Sequence, residues 1–171
     1  MIKIIGAIIL VGAAAVLGFS AAANLNTRER VLSGFSRALD IMHSEIGQYL
    51  TPLDELMSKL SGISPVPLDG FFKQCFEEMK NKPDTPFRFI WVKNIKHADY
   101  LRLRGEETEV IAALGNVLGR YSAEEQKLAI EHASRCVESM SQSASRDRKR
   151  LGGFYAKLGI ICGIAVVIVF I

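Results

Sequence analysis

Two apolar segments, one at each end, constrain the fold of this 171-residue chain more than any other feature. Ile4 to Ala23 holds no charged residue, and its 20 residues would form about 30 Å of helix, enough to cross a bilayer. Leu158 to Ile171 has 14 uncharged residues, about 21 Å of helix, which is too short alone. Starting at Leu151 lengthens it to 21 residues, with Lys157 able to reach the headgroups. The sequence therefore predicts transmembrane helices at residues 1–23 and 151–171.

The residues between these segments have the composition of an ordinary polar domain. Asn24 to Arg150 holds 19 of the 21 basic residues and all 18 acidic residues. The chain's net charge of +3 gives no indication of nucleic-acid binding. We therefore expect one domain at residues 24–150.

Basic residues adjoin both apolar segments on the side of this domain. Arg28, Arg30 and Arg37 follow the first segment, and Arg146, Arg148, Lys149 and Arg150 precede the second. The positive-inside rule then predicts a cytoplasmic domain with both termini outside the cell membrane. We expect the second cluster and Lys157 to lie at the membrane interface, where the cluster contacts anionic lipid or another protein.

A secretory signal is the alternative interpretation of the first segment. Lys3, the apolar run and Ala21-Ala22-Ala23 resemble a charged start, a core and a small-residue cleavage site. The chain would then be an exported helical binding module, held by its C-terminal anchor. The basic residues beside both segments favour the two-anchor interpretation.

Helical periodicity dominates the central domain. Leu32, Phe35, Leu39, Met42 and Ile46 recur at three- and four-residue steps within a first helix from about Asn26 to Tyr49. A second helix is expected to be capped by Thr51, begun by Pro52 and ended by Gly62. A third spans about Leu68 to Lys80. Phe87 to His97 fits either a strand or a helix, and we interpret it as a helix because no second strand signal exists.

The last two predicted helices complete the domain. The fifth begins near Gly105 and is closed by Gly119, and a Ser122–Glu125 capping box starts the sixth, which runs on into the second anchor. The prediction is an all-α fold: a six-helix antiparallel bundle inserted between N- and C-terminal transmembrane helices. An aromatic-rich middle is expected in its core: Phe71, Phe72, Phe76, Phe87, Phe89 and Trp91.

Signals for catalysis are missing from the sequence. There is no phosphate loop and no HExxH, and neither the histidines (His43, His97 and His132) nor the cysteines (Cys75, Cys136 and Cys162) have nucleophile or metal-ligand spacing. A hydrolase using an acid pair would lack a convergent nucleophile and base. We therefore predict no catalytic, cofactor-binding or metal-binding residues. Gly159 and Gly163 form a GxxxG pattern, which predicts close packing of the second anchor within one chain or between copies.

Several short motifs resemble those of the stage III sporulation protein AB family of endospore-forming bacteria, and the resemblance covers the whole chain. Glu45-Ile46 with Thr51-Pro52-Leu53 resembles the family's junction between its first two helices, and Trp91 its mid-domain tryptophan. Leu114-Gly115, Leu118-Gly119 and Gln126 resemble its L-G-x-x-L-G pattern and downstream glutamine. Tyr121-Ser122 departs from the family's Ser-Asp, and Ser122 keeps the capping role without the charge.

The resemblance to this family implies a function, which the composition of the chain does not indicate. The family's domain is similar to the cytoplasmic six-helix domain of the type II secretion platform protein F. The chain is then expected to be a non-enzymatic membrane component of the channel-like complex between mother cell and forespore. It would lie in the mother-cell membrane facing the forespore and dock a secretion-type ATPase, stage III sporulation protein AA. We predict that the docking residues lie near helix junctions: Arg102, Arg104, Arg120 and Glu124.

Overall fold

A computed structural model describes the backbone of residues 2–170 and the side chains of residues 16–151. Over this backbone there are six α-helices and no strand. The helices are α1 (Ile2–Ser44), α2 (Leu53–Ile63), α3 (Leu68–Asn81), α4 (Phe87–Lys96), α5 (Gly105–Leu114) and α6 (Ala123–Phe170). A π-helix, Glu45–Tyr49, follows α1, and a 3₁₀-helix, Asp99–Leu101, precedes α5. The all-helical prediction is confirmed, and the ambiguous segment after Pro86 is a helix.

Contacts divide the chain into two compact units. One comprises Met1–Glu29 and Ser143–Ile171, and the other, called the helical unit below, is Arg30–Gln142. The predicted domain at residues 24–150 is longer than the helical unit at both ends, and its boundaries stay a prediction.

Within the helical unit, α1 and α6 are antiparallel. The Ser36 hydroxyl donates to Glu138 Oε2 at 2.9 Å, and the Ser134 hydroxyl lies 3.5 Å from Asp40 Oδ1. Residue numbers thus rise along α1 as those of its partners fall along α6. The shorter helices pack consecutively, α2 on α3, α3 on α4 and α4 on α5.

The core of the helical unit combines the predicted face of α1 with an aromatic cluster. All five residues of the predicted periodic face are buried, four on α1 and Ile46 in the π-helix that follows. Phe71, Phe72 and Trp91 are fully buried, and the Phe71 ring meets Trp91 edge to face with centroids 5.0 Å apart. Phe89 is 52% exposed, so its predicted core position is wrong. It lies two residues before Trp91, and residues two apart on a helix lie on different faces.

Three predicted helix ends differ from the structure. Thr51 does not cap α2, whose N-cap is Pro52; its hydroxyl instead donates to Glu45 Oε2 at 2.6 Å. Gly62 lies inside α2, and α5 ends at Leu114, five residues before Gly119. The Ser122–Glu125 capping box is confirmed, with the Glu125 N–H 3.3 Å from Ser122 Oγ and the Ser122 N–H 3.0 Å from Glu125 Oε2.

The predicted transmembrane helices fall mostly outside the described side chains. Within residues 16–151, no helical segment is both long and apolar enough to cross a bilayer. Both spans therefore stay predictions.

Candidate docking surface

The junction between α1 and α2 is held by one carboxylate. Glu45, in the π-helix, accepts hydrogen bonds from Lys59 Nζ and from the Thr51 hydroxyl. These two bonds, that of Lys59 first, hold the pKa of Glu45 below its ordinary value. Leu50 lies between Glu45 and Thr51 in the sequence. Its backbone has a left-handed φ of 53°, and its side chain is 72% exposed. The junction thus presents a large apolar side chain to solvent from a backbone conformation that L-residues avoid.

A second contact joins α4 to the end of α5. The Trp91 indole N–H donates to the carbonyl of Ile111 at 2.8 Å. A Cβ added to Gly115 would lie 2.6 Å from Trp91 Cδ1, so only glycine fits against the indole. The family-like tryptophan and the first glycine of Leu114-Gly115-Asn116-Val117-Leu118-Gly119 are therefore one packing contact.

The second glycine of that motif joins three elements. Gly119 has a φ of +72°, and a Cβ there would lie 2.6 Å from Leu53 Cδ1 at the start of α2. Its N–H donates to Gln126 Oε1 at 3.0 Å, while Gln126 Nε2 donates to the Tyr121 carbonyl at 2.8 Å. The motif residues Leu53, Gly119 and Gln126, far apart in sequence, thus meet at one point.

Two surface clefts share Gly119. The arginine cleft, of about 400 Å³, lies between the start of α4 and the α5–α6 turn; it is lined by Pro86, Phe87, Arg88, Gly115, Leu118, Gly119 and Arg120. The junction cleft, of about 300 Å³, is lined by Ile46, Leu50, Thr51, Pro52, Leu53, Gly119, Ala123 and Gln126. Gly119 is the residue common to the lining of both clefts.

Each arginine of the arginine cleft lies over an exposed aromatic ring. The Arg88 guanidinium carbon lies 4.2 Å from the centroid of Phe89, and that of Arg120 lies 5.7 Å from the centroid of Tyr121. The two rings are 52% and 47% exposed. Stacking orients a guanidinium while leaving its N–H groups able to donate.

The four predicted docking residues are divided by α5. Arg102 and Arg104 precede it: Arg102 ends the 3₁₀-helix with a φ of 56°, and Arg104 is the N-cap of α5, its N–H donating to Glu107 Oε2 at 2.8 Å. Arg120 and Glu124 follow it, and Glu124 accepts from Lys127 Nζ at 3.4 Å. Of the four, Arg120 alone is a lining residue of either cleft.

Two ion pairs lie at the predicted interface cluster, one of them made by its member Arg148. Arg28, only 5% exposed, bonds Asp147 at 3.0 Å, and Arg148 lies 3.6 Å from Glu29. Arg146 donates to the Ser143 hydroxyl at 3.0 Å, while Lys149 and Arg150 are exposed. Gly159, Gly163 and Lys157 lie outside the residues whose side chains are described. Membrane contact of this cluster stays a prediction.

The other chemically reactive groups of residues 16–151 are dispersed. No group of three His, Cys, Asp or Glu side chains in that range is arranged to hold a metal ion. Burial raises the pKa of the Cys75 thiol to about 12, which keeps it protonated. His97 and His132 are exposed, and His97 Nδ1 lies 2.8 Å from the carbonyl of Lys93.

Sequence reasoning missed Arg88 and Leu50. The available signal for Arg88 was its place in Pro86-Phe87-Arg88-Phe89, a cation between aromatic residues at a helix start. No sequence signal marks Leu50. Its positive φ arises because it caps the C-terminal end of the π-helix, and the sequence did not predict that π-helix.

Comparisons with known proteins give the family of the chain. The sequence model of the family "Stage III sporulation protein AB (spore_III_AB)" matches residues 3–171. Over 173 aligned residues, which cover 98% of both chains, the sequence is 25% identical to the Stage III sporulation protein AB of Bacillus subtilis strain 168. No solved structure matches the chain. The match over almost the whole length means that the chain belongs to the stage III sporulation protein AB family.

Proposed function

We propose that this protein is a non-enzymatic membrane scaffold of a secretion-like complex between mother cell and forespore, and that its helical unit docks a cytoplasmic ATPase. The expected partner is an ATPase of the stage III sporulation protein AA type. In this proposal the apolar ends hold the chain in the mother-cell membrane. The helical unit then faces the cytoplasm, where the ATPase is available.

The observation that carries the proposal is the pair of clefts around Gly119. Next to the lining residues Arg88 and Arg120 lie two exposed aromatic rings, and the lining residue Leu50 is itself exposed. Aromatic residues and arginine are enriched at protein interfaces, and exposed apolar side chains favour a binding surface. A solvent-facing surface of this kind favours a binding role over a purely structural one. The family match extends through both apolar ends, which supports a function that needs them together with the helical unit.

Direct binding to the ATPase tests the proposal. The full chain, purified in detergent micelles and labelled with a fluorophore, is titrated with the purified ATPase, and fluorescence anisotropy measures the dissociation constant. We expect saturable binding that persists at physiological salt. A chain denatured by heat in the same micelles is the matched control, and it should not bind.

The absence of saturable binding by the folded chain would contradict the docking role. ATP hydrolysis by the chain alone, at a rate unaffected by further removal of contaminating ATPase, would contradict the non-enzymatic assignment.

A further inference from the structure

The arginine cleft is cationic and has no internal counter-charge. Its lining includes Arg88 and Arg120 and no acidic residue. Within residues 16–151, neither arginine belongs to an ion pair; the nearby Glu124 pairs with Lys127 instead. Arginine binds carboxylates through paired N–H donors. Two oriented and unpaired arginines beside one cleft therefore complement a ligand with carboxylates.

The junction cleft adds an apolar element that the fold itself does not use. Leu50 lines this cleft, yet 72% of its surface is exposed, so its burial contributes little to folding. Its φ of 53° costs free energy in a residue with a Cβ. That backbone conformation ends the π-helix, with the Leu50 N–H donating to the Glu45 carbonyl, and the apolar side chain that it exposes is available for contact with a partner.

We infer that the two clefts together bind an acidic segment of the docked partner, with one apolar anchor residue held against Leu50 and flanking carboxylates held by Arg88 and Arg120. The inference rests on the proposed function, since the partner is the ATPase. It narrows the docking surface to the turn around Gly119, and it excludes Arg102 and Arg104 from direct contact.

Charge reversal in the arginine cleft is the first test. Binding of the purified ATPase to the detergent-solubilised full chain is compared between wild type and the R88E/R120E variant. We expect the dissociation constant to rise at least about tenfold. R88K/R120K keeps the charge but loses the paired donors and the stacking of the guanidinium, so its dissociation constant should lie between those of wild type and R88E/R120E. The matched control, R37E/R135E, makes the same change in net charge on exposed faces of α1 and α6 and should leave binding unchanged.

The second test separates the side chain of Leu50 from its backbone conformation. Glycine adopts a positive φ readily, so L50G should fold at least as stably as wild type. It should nevertheless bind the ATPase about tenfold more weakly, because the apolar contact is lost. Leu128→Ala removes another exposed apolar side chain, 60% exposed on α6 and outside both clefts, and should not alter binding.

The outcomes distinguish this inference from the proposed function. If wild type binds the ATPase and R88E/R120E and L50G bind equally well, the clefts are not the docking surface although docking stands. The inference also fails if R37E/R135E weakens binding as much as R88E/R120E, because net charge would then be the cause. If wild type does not bind, the proposed function fails and the cleft inference falls with it.

Discussion

At the scale of single residues, Gly115 and Gly62 differ in whether the surrounding atoms leave room for a Cβ. Gly115 is buried against Trp91, with no room for a Cβ, whereas nothing lies within 4 Å of the position that a Cβ would take at Gly62. Both backbones are helical or nearly so, with Gly115 at φ −60°. The two positions therefore differ in their surroundings and hardly at all in conformation.

We predict that Gly115→Ala and Gly62→Ala have opposite effects on stability. Gly115→Ala should lower the free energy of unfolding by about 1–3 kcal/mol, since the indole must move. Gly62→Ala should raise it by about 0.5–1 kcal/mol, because alanine loses less backbone entropy in a helix. Trp91 is the single tryptophan of the chain, so its fluorescence during urea unfolding of the full chain in micelles reports on the helical unit. Equal effects of the two substitutions would contradict the packing explanation.

At the scale of elements, the α1–π-helix–α2 junction depends on an ionised side chain. Glu45 accepts from Lys59, which lies on α2, and from Thr51, which lies between the two helices. Both bonds favour the carboxylate over the protonated acid. The two hydrogen bonds that Glu45 accepts from the following segment are therefore strongest in its ionised form.

We predict that Glu45→Gln destabilises the helical unit at neutral pH and not in acid. The folded state holds the pKa of Glu45 below its unfolded value, so the stabilisation is present above the unfolded pKa and is lost as pH falls through the folded pKa. The difference in urea midpoint between wild type and Glu45→Gln should therefore shrink as the pH falls below the ordinary carboxyl pKa of 4.5.

Thr51→Val is the companion variant for this junction. It removes one of the two hydrogen bonds to Glu45 and keeps the carboxylate. The difference in urea midpoint between wild type and Thr51→Val should therefore also shrink as the pH falls, but by less than for Glu45→Gln. A difference between wild type and Glu45→Gln that stays constant over the acid range would rule out this role of Glu45.

At the scale of the whole molecule, orientation decides which partners are available. The two-anchor interpretation puts the helical unit in the cytoplasm, and a cleaved signal would put it outside. Lys82 is exposed and lies between α3 and α4, so a cysteine there samples the solvent around the helical unit.

We predict that Lys82→Cys, in a chain whose native cysteines are replaced, is not labelled by a membrane-impermeant maleimide in intact cells. Labelling should appear once the membrane is permeabilised. The matched control is a cysteine added after Ile171, which the predicted topology puts outside and which should be labelled in intact cells. Labelling of Lys82→Cys in intact cells, or a mature N-terminus at Asn24, would instead favour the exported module.

Local periodicity by itself determined the helices of this protein and most of its buried face. Leu32 to Ile46 repeat at helical spacing, and Ser122 with Glu125 caps its own helix, because both signals arise from residues three or four positions apart. The same reasoning failed for Gly62, which lies inside α2, for Phe89, which is exposed, and for Thr51, whose hydroxyl bonds Glu45 of the preceding π-helix instead of capping α2.

Only the tertiary structure decided where the candidate docking surface lies. Arg88 and Arg120 are 32 residues apart in sequence, and they line one cleft because Trp91 on α4 packs against Gly115 after α5. Leu50 lines the adjoining cleft because Leu53 packs against Gly119. Such proximities arise from contacts between distant segments, and no local sequence pattern encodes them.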